Sequence, residues 1–233
     1  TRAAVAYARE LGRTVTFDPN LRLPLWPSPA EARAQILWSL CQADVVKLSD
    51  EEVDFLWGCS PQEGARRLLE ECGCTVIAIP CSTSHYFVDR IQQEIGIPIL
   101  HMIRETARLL VSQGRKRPGI LATDGTIQTG LYQREFAALG LEPVAPGPEA
   151  QRQIMSLIYD DIKAGKLGDP EKFAAAHQDL IAQGCDCAIL ACTELSVFAT
   201  QHPLSTFFID AMAVLAERAV QACHKPLRQI HSK

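Results

Sequence analysis

Short apolar, β-branched runs alternate with longer amphipathic stretches along the whole chain, and this alternation is what most limits the possible folds. The runs at Thr14–Asp18, Asp44–Leu48, Thr75–Ile79, Ile97–Leu100, Gly119–Ala122, Asp186–Ala191 and Thr206–Ile209 read as strands. Between them, helices are expected near Pro29–Gln42, Gln62–Glu71, Ser84–Glu94, Ile103–Gln113, Ile127–Leu139, Glu149–Ala164, Pro170–Gln183 and Ala211–Cys223. Continuous apolar runs such as Ala188-Ile189-Leu190 suit strands covered on both faces, and strands that alternate with helices imply parallel βαβ units. The expected fold class is therefore α/β, with parallel sheets flanked by helices.

Helix punctuation agrees. Gly140 and Gly184 follow amphipathic stretches, where a terminal glycine takes the left-handed conformation. Asp169-Pro170 reads as an N-cap followed by a proline at the first helical position. In the helix that follows, Phe173, Ala176, Leu180 and Ile181 are expected on one face.

A chain of 233 residues that is 47% hydrophobic can bury a substantial core. Its net charge of −4 gives no electrostatic reason to expect nucleic acid or an anionic membrane as partner. The basic cluster Gly114-Arg115-Lys116-Arg117 reads as a solvated helix end. No apolar run approaches a membrane span, and the opening residues read as a polar amphipathic helix rather than a signal sequence. The sequence starts at Thr1 rather than Met, so its native start is open.

The nine cysteines are odd in number and mostly in apolar company, which suits a reducing cytoplasm better than a disulfide scaffold. The pairs Cys72-Gly-Cys74 and Cys185-Asp-Cys187 are spaced too tightly for a usual zinc knuckle and read as buried small hydrophobes beside strands. No metal site is expected.

Two segments share a layout: Val76-Ile77-Ala78-Ile79-Pro80-Cys81-Ser82-Thr83 and Cys187-Ala188-Ile189-Leu190-Ala191-Cys192-Thr193-Glu194. Each is a buried strand that delivers a cysteine, then a hydroxyl residue, then a helix start. In open α/β sheets the site lies beyond the carboxyl ends of the strands. A helix N-terminus there lowers a thiol's pKa, so both thiols are expected to be exposed and partly activated. Two such thiols suit removal of a proton from one face of a carbon and its return on the other.

These residues resemble the aspartate/glutamate racemase family. Pro80-Cys81-Ser82-Thr83-Ser84-His85 is similar to its P-C-N-T-x-H motif, and Ala191-Cys192-Thr193-Glu194-Leu195 to its G-C-T-E-L motif. Between them, the segment from Leu121 to Tyr132, containing Thr123-Asp124-Gly125-Thr126 and Thr129, resembles the family's G-T-x-x-T-x-x-x-Y turn. The resemblance runs from about Gln62 to about Pro226. It implies two pseudo-symmetric α/β lobes, no cofactor, a small amino-acid substrate and a homodimer. Cys81 and Cys192 become the acid/base pair. Ser82, Thr83, Thr126 and Thr193 become substrate-binding residues, the three threonines as donors to the α-carboxylate, and Glu194 orients the ammonium group. Lys163 matches a position that faces the side-chain carboxylate in some members, although its setting equally suits a surface lysine near a helix end. His85 either pairs with the Cys81 thiolate or caps its own helix, and Asp124 suits a turn former.

Residues 1 to about 60 resemble a different family. Val15-Thr16-Phe17-Asp18-Pro19-Asn20-Leu21-Arg22-Leu23-Pro24-Leu25-Trp26 is similar to the D-x-N-x-R-x-x-L-W segment of ribokinase-like sugar kinases, fructokinases above all, and Asp44-Val45-Val46-Lys47-Leu48-Ser49-Asp50-Glu51-Glu52 to their A-D-x-x-K-x-(N/S)-x-x-E motif. The sugar-binding part and the catalytic G-A-G-D loop of such kinases are not in the sequence, so the charged residues are expected in loops and caps. Ser82 replaces the usual racemase Asn, and the racemase N-terminal strand and glycine-rich loop are replaced, which implies an impaired enzyme. The expected organisation is a kinase-like βα fragment at 1–60, a first racemase lobe at 61–98 and 209–233, and a second at 99–208. Strands Thr14–Asp18 and Asp44–Leu48 are expected to join the sheet that carries Thr75–Ile79. The primary reading is cofactor-independent racemisation of aspartate or glutamate. The alternatives are a sugar-kinase relative and an inactive carboxylate-binding module.

Overall fold

A computed structural model describes residues 2–73, 75–225 and 227. It divides into two compact units: residues 1–78, 90–99 and 217–233, and residues 79–89 and 100–216. The second unit therefore contains both cysteine motifs, Cys81 included.

In the first unit, helix α1 (Arg2–Glu10) precedes strand β1 (Thr16–Phe17), which pairs in parallel with β2 (Val45–Val46). Helix α2 (Pro29–Leu40) connects them. Ser28 caps it by accepting the Glu31 N–H, and Pro29 sits where no intrahelical N–H is needed. Helix α3 (Asp50–Trp57) starts with a full capping box between Ser49 and Glu52 and ends at Gly58 in the left-handed conformation. Ile36, Leu40 and Leu56 form the buried centre, with Phe17, Val46 and Leu48 against it.

Strands β1 and β2 form a sheet of their own. They do not join the one that holds β3 (Ile77–Ala78) and β4 (Ile99–Leu100), contrary to the sequence expectation. Each is only two residues long, because Asp18-Pro19 and Lys47-Leu48-Ser49 turn the chain into loop and helix cap before a wider ladder can form. Helix α4 (Pro61–Cys72) leads to β3, where the Ile77 N–H donates to the Pro98 carbonyl at 2.9 Å. A 3₁₀ turn (Thr83–Phe87) and α5 (Val88–Glu94) lie between β3 and β4 in the chain.

The second unit is built on a parallel sheet ordered β5 (Pro118–Leu121), β6 (Cys187–Leu190), β7 (Phe208–Asp210). Leu121 pairs with Leu190, and Leu190 with Asp210. Every residue of β5 and β6 is buried, as continuous apolar runs require. The helices of this unit are α6 (Met102–Ser112), α7 (Asp124–Gln128), α8 (Leu131–Ala137), α9 (Pro148–Ser156), α10 (Pro170–Ala182), α11 (Thr193–Gln201) and the start of α12 (Ala211–Ala222). Phe173, Leu180, Phe198, Ile154 and Leu157 fill the core against Leu121 and Leu190. Gly119 lets α10 approach β5 closely, since a Cβ there would lie 2.5 Å from Leu180 Cδ1.

Three helix expectations need correction. Ile181 is 51% exposed and does not share the buried face of Phe173, Ala176 and Leu180, because one further step of about 100° carries it off that stripe. The stretch Ile127–Leu139 is broken by Gly130 at φ 63° into α7 and α8. The stretch Glu149–Ala164 is α-helical only to Ser156 and continues as a π-helical turn, Leu157–Ile162. Gly140 and Gly184 both take φ 78° and Asp169 accepts the Glu171 N–H, as their positions implied. Cys185 and Cys187 are buried, whereas Cys74 and the side chain of Cys72 lie outside the described residues. Among those described, no helix is long and apolar enough to cross a membrane.

Candidate active site

The end of β6 delivers Cys192 as the N-cap of α11. The Ala191 N–H donates to the Leu121 carbonyl at 2.8 Å, so the approach to Cys192 is locked to the end of β5. Cys81 is exposed and lies just before the 3₁₀ turn Thr83–Phe87. Ser82 ties the two segments together. Its hydroxyl donates to the Ala191 carbonyl at 2.9 Å and lies 3.1 Å from the Tyr132 hydroxyl. Since the Ser82 hydrogen points to Ala191, the Tyr132 O–H is the donor in the second bond. Burial pushes the Tyr132 phenol well above its usual range, so it stays protonated and able to donate.

The hydroxyls of Thr83 and Thr126 are 3.4 Å apart, and Thr126 is 3.1 Å from the Thr123 hydroxyl. Thr123 caps α7 by accepting the Thr126 N–H. Beside this cluster, Asp124, Gln151, Met155, Ser156 and Asp160 line an open cavity of about 600 Å³.

Glu194 gathers the other expected residues. Its Oε2 accepts from Cys192 Sγ at 2.8 Å and from the Thr193 hydroxyl at 3.0 Å. Its Oε1 is 3.8 Å from Lys163 Nζ, which also lies 4.2 Å from the centre of the Tyr159 ring. Lys163 follows the π-helical turn and donates its N–H to Ile158, five residues back. Burial raises the Glu194 carboxyl, but hydrogen bonds from Cys192 and Thr193 and the Lys163 charge outweigh it and hold it below the usual range.

The Cys192 thiol is not activated as its helix-cap position suggested. Burial, and then the Glu194 carboxylate, push it up to about 12. The helix N-terminus acts on the same sulfur, but desolvation and an adjacent negative charge are stronger.

His85 does not pair with the Cys81 sulfur. Its Nε2 accepts the Met102 N–H at 3.0 Å, and its Nδ1 therefore donates to the Cys81 carbonyl at 2.8 Å. Both ring nitrogens are committed to backbone, and burial holds the ring below the usual histidine range.

The kinase-like charges serve locally. Glu52 is buried, capping α3 through the Ser49 N–H and accepting the Leu21 N–H at 2.9 Å, and Lys47 pairs with Asp18 at 3.3 Å. Asp124, the first residue of α7, accepts from Gln151 Nε2 of α9 at 2.8 Å. No group of three His, Cys, Asp or Glu gathers as a metal site among the described residues.

The motifs in the sequence assign no role to Tyr132 and none to Thr123 as a hydroxyl partner. Their place in the turn pattern was the available signal.

Broad specificity amino-acid racemase RacX of Bacillus subtilis (strain 168) is 30% identical over 152 residues, 65% of this chain and 66% of that protein. Fructokinase-2 of Solanum lycopersicum is 53% identical over 55 residues, 24% of this chain and 17% of the kinase. The chain thus spans just under two thirds of the racemase and about a sixth of the kinase. The crystal structure of an aspartate racemase homologue from Pyrococcus horikoshii OT3 superposes with a TM-score of 0.63 at 24% identity, covering 70% of this chain and 73% of that one. It has the same α/β fold. A family model described as Asp/Glu/Hydantoin racemase matches residues 45–219, beginning within the segment that resembles the sugar kinases. The chain belongs to the Asp/Glu/hydantoin racemase family.

Proposed function

We propose that this chain racemises an amino acid, aspartate or glutamate, without a cofactor, using Cys81 and Cys192 as its two acid/base groups. The observation that carries the reading is the Ser82–Ala191 bond, which joins the segment after one thiol to the segment before the other. Family membership supports the reaction class.

In the proposed mechanism the hydroxyls of Thr83, Thr126 and Thr193 receive the α-carboxylate, and Glu194 receives the ammonium group. One sulfur, as thiolate, takes the Cα hydrogen. The Cα–H bond breaks, an S–H bond forms, and the electron pair is held at Cα and the carboxylate. The opposite thiol then gives its proton to the other face of Cα. Cys192, held as a thiol beside Glu194, is assigned the acid role, and exposed Cys81 the role of the base. Solvent exchange restores the starting protonation. Lys163 keeps Glu194 ionised and at its post, and Ser82 acts by holding backbone rather than by direct contact with substrate.

The proposal extends to a cytoplasmic homodimer. It also includes turnover below that of family members with a glycine-rich loop, since residues 1–60 carry the kinase-like pattern instead. The fructokinase match favours a second reading, a sugar-kinase relative, for the first 60 residues alone. The local roles of Glu52 and Lys47 count against it.

The test follows α-proton exchange and optical inversion of L- and D-aspartate and glutamate in heavy water, with fructose, ATP and magnesium tested in parallel. Inversion supports the proposal. Amino-acid binding without exchange would favour an inactive carboxylate-binding module, and ADP release dependent on fructose would favour the kinase.

A further inference from the structure

Tyr132 is 0% exposed and touches neither proposed thiol through a hydrogen bond, yet its hydroxyl ends in the site. A buried phenol must find an acceptor, and among the described residues Ser82 Oγ, 3.1 Å away, is its hydrogen-bond partner. Ser82 passes its own hydrogen to the Ala191 carbonyl. The result is a directed chain, Tyr132 O–H to Ser82 O–H to Ala191 C=O, with no donor left over. Each end is fixed by other means. The Tyr132 ring packs edge-on to Phe136, with centroids 5.5 Å apart, and the Ala191 N–H is held by Leu121. At the Cys81 end, the Cys81 carbonyl is held by His85 Nδ1.

The backbone is thus anchored at the Cys81–Ser82 peptide, through the Cys81 carbonyl and the Ser82 side chain, and immediately before Cys192. Removal of one link leaves the fold, its strands and its core intact, but frees the two cysteine-bearing segments to shift against each other. Two-base chemistry is sensitive to such a shift. A misplacement of about 1 Å can cost on the order of 100-fold in rate.

We propose that Tyr132 is a positioning residue that sets the separation of the Cys81 and Cys192 sulfurs through Ser82. The proposal rests on the two-thiol reading above, but half of its test does not need turnover.

The test compares wild type with Tyr132→Phe, which keeps the ring and removes only the hydroxyl. Dibromobimane, a short reagent that alkylates two thiols in succession with loss of bromide, reports their separation, and peptide mapping identifies the pair among the other cysteines. The wild type is expected to yield a Cys81–Cys192 cross-link. Tyr132→Phe is expected to lower that yield by about fivefold, while single alkylation of each cysteine changes by less than about twofold. Its thermal midpoint should stay within about 5 °C of wild type.

In heavy water, α-proton exchange should become uncoupled from inversion, with their ratio rising by about threefold or more, because one thiol still removes the proton while the other no longer meets the opposite face. A merely structural effect lowers exchange and inversion together. An unchanged cross-link yield, or no Cys81–Cys192 cross-link in wild type, overturns the proposal, as does an unchanged ratio in an active enzyme. A wild type that exchanges no α-proton yet shows the Tyr132-dependent cross-link rejects racemisation and leaves the positioning role standing.

Discussion

Ser82 donates its hydroxyl hydrogen to the carbonyl of Ala191 at 2.9 Å, across 109 residues of sequence. That bond brings the segment following Cys81 to the segment preceding Cys192. The bond to Ala191 and the one from Tyr132 take one donor and one acceptor, and the Ser82 hydroxyl supplies both.

The two thiols are unequal, and alkylation should reveal it. At pH 7.5, iodoacetamide is expected to modify exposed Cys81 well before Cys192, whose thiol is held protonated near Glu194. Glu194→Gln removes the negative charge and should lower the Cys192 pKa, raising its alkylation rate about tenfold for each unit. Peptide mass mapping against time checks both. Equal rates in the wild type, or no acceleration in Glu194→Gln, would contradict the assignment.

Stability should depend on pH through His101. It is 5% exposed, and burial, reinforced by His85 and Arg104, lowers its pKa to about 4. The unfolded chain takes up the proton near pH 6.5, so stability is full above that pH and is lost as pH falls from 6.5 towards 4. At about 1.4 kcal/mol per unit, the loss is at most roughly 3.5 kcal/mol. His101→Asn retains an N-cap acceptor for α6, where His101 Nδ1 now accepts the Arg104 N–H, and removes the titration. Urea denaturation across this range should show a flatter profile for the variant. An identical slope would remove His101 as the cause.

Gly119→Ala should destabilise the second unit by about 1–3 kcal/mol, since the added methyl meets three atoms of the Leu180 side chain. Thermal unfolding of the variant checks this. A midpoint equal to wild type would mean that α10 yields freely.

Much of this architecture was legible in the sequence. All seven apolar runs overlap a strand, two of them offset by one residue, and Cys192 stands at the strand tip where its motif implied. Helix α3 was missed because the residues around it were read as a kinase motif, although Ser49 and Glu52 spell a capping box. The break at Gly130 and the π-helical turn before Lys163 were hidden because helical periodicity persists through both. Long-range partners were beyond a linear reading. Nothing local says that Ser82 finds Ala191 and Tyr132, that His85 is committed to backbone, or that Glu194 holds the Cys192 proton. Helix-cap position alone suggested an activated thiol, and desolvation with an adjacent carboxylate reversed it.

The most direct measurement is optical inversion of L- and D-aspartate and glutamate, with α-deuterium incorporation followed in the same samples, for wild type, Cys81→Ser and Cys192→Ser. The two-thiol account predicts inversion by the wild type and a loss of about 10²- to 10⁴-fold in each variant, with only slow exchange on one face remaining and the fold unchanged by circular dichroism. Near-normal inversion by either variant would contradict it.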